Sequence, residues 1–172
     1  AAKPDSQDIC FVPDGDYAGV IEKHTGHRPV CGNFVDKSGN VLGQHKGVIH
    51  YTIGQRRGLG ISAPAPLYVC DICPHTNEVV LGGNDELFRR EADVIDFNWI
   101  SGAAPTHGLR CKAKIRYRHP EQWATVTPAG SSAVHIVFDE PQRAITPGQA
   151  AVLYDGDTVL GGGVIQKNQN HA

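Results

Sequence analysis

Arg110-Cys111-Lys112-Ala113-Lys114-Ile115-Arg116-Tyr117-Arg118 alternates cationic and uncharged residues without a break, and its period of two decides how the second half of this chain is read. Successive side chains of a strand point to opposite faces. Lys112, Lys114, Arg116 and Arg118 therefore line one face of a strand over 110–118, and Ala113, Ile115, Tyr117 and His119 line the other. Five more short runs flank it, over 92–99, 124–127, 134–138, 150–154 and 158–165, each bounded by Gly, Pro or Asp. No helical period or repeat interrupts them. Six short strands with this punctuation predict a small β-barrel.

Working back toward the N-terminus, residues 67–72 and 78–81 read as two strands joined by Pro74-His75-Thr76-Asn77, and Gly82-Gly83 forms a natural boundary. Strand-like runs on either side of Lys37-Ser38-Gly39-Asn40 predict a β-hairpin. Cys31, just ahead of it, is expected to be a core thiol. The segment from Asp16 to His24, with a carboxylate start, apolar Tyr17, Val20 and Ile21, and Gly26 as a stop, predicts one short helix. Between hairpin and strands, Gly47, Gly54, Gly58 and Gly60 bracket an aromatic and two arginines. Glycine tolerates positive φ and close backbone approach, so a tight loop carrying Gln55, Arg56 and Arg57 is expected, a solvated turn being the alternative. The fold class that follows is mainly β: a small central β-rich domain with a short helix, then a C-terminal six-stranded β-barrel. The expected divisions are 1–26, 27–83 and 84–172.

Composition narrows the function classes. A net charge of −2 and a pI near 6.5 give no global mark of a nucleic-acid binder, so any such role belongs to a local patch. With 40% hydrophobic residues a packed core is available, and 20 Gly and 11 Pro leave little room for long helices. Neither a membrane span nor a signal peptide is legible, so a cytoplasmic protein with no membrane partner is expected. The start at Ala1-Ala2-Lys3-Pro4 and the absence of Met hint at a piece of a longer protein. Five cysteines, irregularly spaced, form no disulfide framework and fit reduced thiols. Cys70 and Cys73 have metal-ligand spacing beside His75, yet residues three apart on a strand point to opposite faces, and no second ligand pair follows. No metal site is expected there.

Two features carry chemistry. Cys10 lies where the polar run Asp5-Ser6-Gln7-Asp8 meets Ile9, Phe11 and Val12, a plausible place for a nucleophile, although a thiol so flanked also packs as a small hydrophobe. Asp5 and Asp8 oppose a constitutive thiolate. The cationic stripe is a solvated outer face or an RNA contact, and Tyr117 and His119 could stack on bases only if the strand ends or twists near Pro120.

Taken in order, Ser6-Gln7-Asp8-Ile9-Cys10-Phe11, Gly43-Gln44-His45 with Gly47, Tyr51-Thr52-Ile53-Gly54-Gln55-Arg56-Arg57-Gly58-Leu59-Gly60, Arg116-Tyr117-Arg118, Thr146-Pro147-Gly148-Gln149 and Leu160-Gly161-Gly162-Gly163 resemble the C-terminal part of the tRNA-specific 2-thiouridylases. The resemblance implies an ATP pyrophosphatase domain ahead of the central and barrel domains, with 1–26 as its tail. That domain's Ser-Gly-Gly-type loop is nowhere in this sequence, so ATP, with Mg, belongs to the missing part, and the chain itself carries no cofactor. Cys10 then matches the second of two catalytic cysteines, the one that carries sulfur as a persulfide and passes through a disulfide. Arg116, Tyr117 and Gln149 match tRNA-binding positions. The implied partners are tRNA and a sulfur-donor protein, and the implied reaction is 2-thiolation of the wobble uridine after adenylation of its C2 oxygen. A stand-alone RNA-binding barrel without catalysis is the alternative; a translation-factor-like barrel that binds protein or nucleotide is a third, opposed by the stripe and by the lack of a phosphate loop ending in lysine.

Overall fold

A computed structural model describes residues 17–26, 28–100, 102–117 and 119–167. Cys10 with its whole motif, and Arg118, lie outside the described residues. The chain divides at Gly82/Gly83 into two compact units, 1–82 and 83–172.

The first unit opens with helix α1 (Tyr17–Thr25). Lys23 and His24 fall in its last turn, where cations favour the helix dipole, and Gly26 ends it at φ +68° with its N–H donating to Glu22 O. The hairpin follows as β1 (Gly32–Val35) and β2 (Val41–His45). Its turn is organised by Asp36, whose Oδ1 accepts the N–H groups of Ser38 and Asn40, while Gly39 takes the left-handed position at φ +82°. Next come β3 (Tyr68–Cys73) and β4 (Glu78–Gly82), an antiparallel pair. The four strands make one sheet in the order β2-β1-β4-β3, with β1 and β4 parallel. Phe34, Val69, Val79 and Leu81 are its core. A bulge between Val69 and Asp71 lets both Val69 and Cys70 turn inward.

Cys31 departs from expectation: it is exposed. It precedes β1 and so lies off the sheet's buried face, contributing its carbonyl, together with that of Val30, as acceptors for Asn77 Nδ2.

The second unit is a closed antiparallel barrel of β5 (Phe88–Trp99), β6 (Leu109–Lys114), β7 (Gln122–Pro128), β8 (Val134–Arg143), β9 (Ala150–Asp155) and β10 (Thr158–Ile165), in the order β10-β5-β8-β7-β6-β9. Alternation is strict where it matters: Cys111 and Ala113 of β6, Ala124 and Val126 of β7, Ile136 and Phe138 of β8 and Leu153 of β9 all fill the interior. Truncating a side chain as enclosed as Phe138 to Ala would cost about 3–5 kcal/mol. Closure brings β10 so close to β5 that a Cβ on Gly161 or Gly163 would stand 2.5 Å from Asn98 O or 2.6 Å from Ile95 O. The Gly161-Gly162-Gly163 run is thus a packing requirement of the barrel.

Two expectations for β6 are corrected. The strand ends at Lys114, because β9 pairs only Lys112, Ala113 and Lys114, and the chain then turns, His119 N donating to Arg116 O at 3.2 Å. Tyr117 therefore escapes the inward face that unbroken alternation would assign it.

Candidate nucleic-acid interface

On β6 the outward residues are Arg110, Lys112 and Lys114, and Arg116 follows the end of the strand, after buried Ile115. The four cations do not share one environment. Arg110 is bidentate to Asp139 of β8, with Nη1 2.6 Å from Oδ1, and Lys112 Nζ lies 3.4 Å from Glu121 Oε1. The guanidinium holds the Asp139 carboxyl below the usual carboxylate range. Lys114 Nζ instead sits 5.9 Å from the ring centroid of Tyr117, which is 71% exposed.

Arg116 is half-buried and turned toward the connection between β8 and β9. Its Nη2 donates to Ala144 O at 2.6 Å and to Thr146 Oγ1 at 3.1 Å. Desolvation, and then the charge of Arg143, lower its pKa. The same connection carries Gln149, exposed, whose backbone N–H donates to Thr146 O and whose carbonyl accepts Ile165 N–H. Arg116 thus meets the segment 144–149, although Arg116 and Gln149 are 33 positions apart in sequence.

Trp123 escaped the sequence reading. It stands on β7 directly opposite Lys112, is half exposed, and has Arg110 Cζ at 5.2 Å and Lys112 Nζ at 5.7 Å from its ring centroid. Tyr154 of β9 is Lys112's partner on the other side. The available signal was the aromatic itself on the polar phase of 122–128, but pairing it with Lys112 requires the register.

In the first unit the glycine-rich loop is folded on itself. Gly54 N–H donates to Val69 O, Val69 N–H to Gln55 O and Gly47 N–H to His45 Nδ1. Gln55 is turned into the loop, its Oε1 accepting Thr52 N–H and its Nε2 donating to Arg57 O, whereas Arg56 and Arg57 are exposed. The Gly47, Thr52, Gly54 and Gln55 amides of the loop are thereby engaged within the unit. His45, 3% exposed, accepts at Nδ1, so its proton sits on Nε2 and is donated to Asn77 O at 3.1 Å. Phe34, His45 and Tyr51 meet edge to face around it. A cleft of about 460 Å³ beside Arg56, Gly60 and Pro64 opens on this unit, and an apolar one of about 330 Å³ by Trp99, Pro105 and Leu160 opens on the barrel.

Among the described residues no group of three or more His, Cys, Asp or Glu is placed to hold a metal ion, and no helix is long and apolar enough to cross a membrane. Cys31, Cys70, Cys73 and Cys111 are not joined in disulfides, and Cys70 Sγ donates to Tyr68 O at 3.5 Å.

Two family models match: the aminomethyltransferase beta-barrel domain over residues 89–165 and the tRNA methyl transferase PRC-barrel domain over residues 18–83. The tRNA-specific 2-thiouridylase MnmA of Clostridioides difficile is 52% identical over 96% of this chain and 46% of its own length. Those of Lachnoclostridium phytofermentans and Symbiobacterium thermophilum are 50% and 48% identical over 97% and 99% of this chain, and over 47% and 44% of theirs. The chain spans about half the length of the curated relatives it matches.

Proposed function

Because the chain belongs to the family of tRNA-specific 2-thiouridylases, matching its C-terminal part, we propose that it grips tRNA and carries sulfur within a tRNA-uridine 2-sulfurtransferase. The observation that supports the grip most directly is Thr146, to which both the Arg116 guanidinium and the backbone of exposed Gln149 bond, with exposed Tyr117 next to Arg116 in the chain. In this reading Tyr117 offers a ring to a base or ribose, Gln149 a hydrogen-bonding amide, and Arg116 its Nε and Nη1 edge to phosphate. Lys114, beside Tyr117, adds charge that favours polyanions.

Cys10 is proposed as the sulfur carrier. The terminal sulfur of its persulfide bonds to the activated C2 of the wobble uridine as the oxygen leaves with its activating group. The family's first catalytic cysteine, which nothing in this chain matches, attacks Cys10 Sγ, the S–S bond breaks, sulfur stays on the base, and the resulting disulfide is reduced by thiol exchange. A sulfur-donor protein supplies the persulfide. The ATP-dependent activation is assigned to none of these residues, and the 172-residue chain alone is expected to form no thiolated uridine.

Titrating tRNA into the 172-residue chain at several salt concentrations tests the grip. Salt-dependent binding, weakened by Tyr117→Ala and by Gln149→Ala, is expected. Binding that is absent, or indifferent to both substitutions, would overturn it.

A further inference from the structure

The outer face of β6 does not end its unusual chemistry at Tyr117. Trp123, Lys112 and Tyr154 form one row across β7, β6 and β9, because Lys112 is the in-register partner of both aromatics and directly opposed residues share a face. Arg110 reaches from β6 past the indole to Asp139 on β8. Close cation–aromatic pairs occur roughly once per 70–80 residues. Here three fall within Arg110, Lys112, Lys114, Tyr117 and Trp123, on and beside the outer face of β6. A tryptophan half open to solvent is also a poor outcome for folding alone, since its ring is among the largest apolar surfaces a core can bury.

We propose that this row is a second RNA contact, in which Trp123 stacks on an unpaired base and Lys112 and Arg110 meet the flanking phosphates. The inference rests on the tRNA-binding reading above and extends its footprint along β6, from Tyr117 to Trp123. Asp139 and Glu121 hold the two cations against the indole while RNA is absent. Both pairs are between a third and a half exposed, so each contributes little to stability and a phosphate can take the carboxylate's place. An RNA partner is favoured over a protein because the face combines open π surfaces with a cation excess: Arg110, Lys112 and Lys114 against Asp139 and Glu121.

Trp99→Phe in the 172-residue chain leaves Trp123 as the sole tryptophan, so its fluorescence can be followed as purified tRNA, or a fully paired RNA duplex of similar length, is added. Quenching by tRNA that exceeds quenching by duplex is expected, with Trp123→Ala weakening tRNA binding about 5- to 150-fold and Trp123→Tyr recovering part of it. Unchanged tRNA affinity for a folded Trp123→Ala chain, with Tyr117→Ala still weakened, would overturn this contact and leave the proposed grip standing. Equal quenching by duplex would reduce the row to a charge contact and overturn the stacking role. Failure of the unsubstituted chain to bind tRNA would sink both readings together.

Discussion

Arg116 donates from Nη2 to the carbonyl oxygen of Ala144 at 2.6 Å, and Ala144 is a buried non-glycine residue held in the left-handed region at φ +54°. Its N–H is engaged as well, donating to Leu87 O at 2.7 Å. A left-handed alanine costs about 1 kcal/mol or more, so the contacts on either side of it hold the connection in a shape it would otherwise leave. Arg116 thus has a structural task besides any contact with tRNA.

Arg116→Ala is expected to destabilise the barrel by about 1.5–3 kcal/mol, the usual worth of hydrogen bonds from a charged donor, with the lower end favoured because the side chain is only half-buried. Urea unfolding measures this. If the free edge of the guanidinium also neutralises one phosphate, the salt slope of tRNA binding falls by roughly 0.7–0.9 in the same variant. A lower stability with an unchanged slope would assign Arg116 to the clamp alone.

Ala144→Gly separates strain from packing. Glycine ordinarily costs about 0.5–1 kcal/mol relative to alanine within a regular element, but at positive φ that penalty disappears. Unchanged or slightly raised stability is expected. A loss above about 1 kcal/mol would mean that the buried methyl matters more than the backbone conformation.

His45 should make the first unit sensitive to acid. Burial lowers its pKa from the ordinary 6.5, only partly offset by the hydrogen bond to Asn77. The folded state therefore favours the neutral ring. Its stabilisation is complete above pH 6.5, the unfolded value, and is lost as pH falls through the lower folded value, when a proton on Nδ1 displaces the Gly47 N–H. Melting temperature measured from pH 8 to pH 5 should fall on the acid side, and His45→Gln should flatten that fall while lowering the plateau.

Cys111 and Cys31 should differ sharply toward thiol reagents. Burial in the barrel pushes the Cys111 thiol up to about 11, whereas Cys31 is exposed. At pH 8, exposed Cys31 is expected to react with a disulfide reagent in the folded chain and Cys111 only after denaturant is added. The raised value carries the opposite linkage to His45: its stabilisation is full below pH 9.0 and is lost as pH climbs toward 11. Rapid labelling of Cys111 in the folded chain would show that the barrel opens.

Cys10→Ser in the full-length protein keeps side-chain size nearly constant and removes the proposed sulfur carrier. Normal tRNA binding and ATP consumption with no thiolated uridine are expected. A role in packing instead lowers the melting temperature and leaves activity in proportion to the folded fraction. Appreciable thiolation by the well-folded variant would exclude the persulfide role.

Local pattern was enough for most elements, because face alternation and turn chemistry depend on near neighbours. The alternation of Cys111, Ala113 and Ile115 with Lys112 and Lys114 already assigned inside and outside, and Lys37-Ser38-Gly39-Asn40 already marked a hairpin. The family resemblance was carried by other local motifs, among them Tyr51-Thr52-Ile53-Gly54-Gln55-Arg56-Arg57-Gly58-Leu59-Gly60 and Arg116-Tyr117-Arg118. What local pattern could not carry was anything set by partners far away along the chain. The parallel pairing of β1 with β4 and the exposure of Cys31 depend on which strand edge meets which. Tyr117 turns outward because β9 stops pairing at Lys114. The row of Trp123, Lys112 and Tyr154 and the clamp of Arg116 on Ala144 follow from barrel closure, which fixes register among strands joined by no short turn. Sequence determined which face a residue within a regular strand occupies, since that follows from backbone period; tertiary structure alone decided where strands end or bulge and which residues meet across them, since that follows from pairing and register.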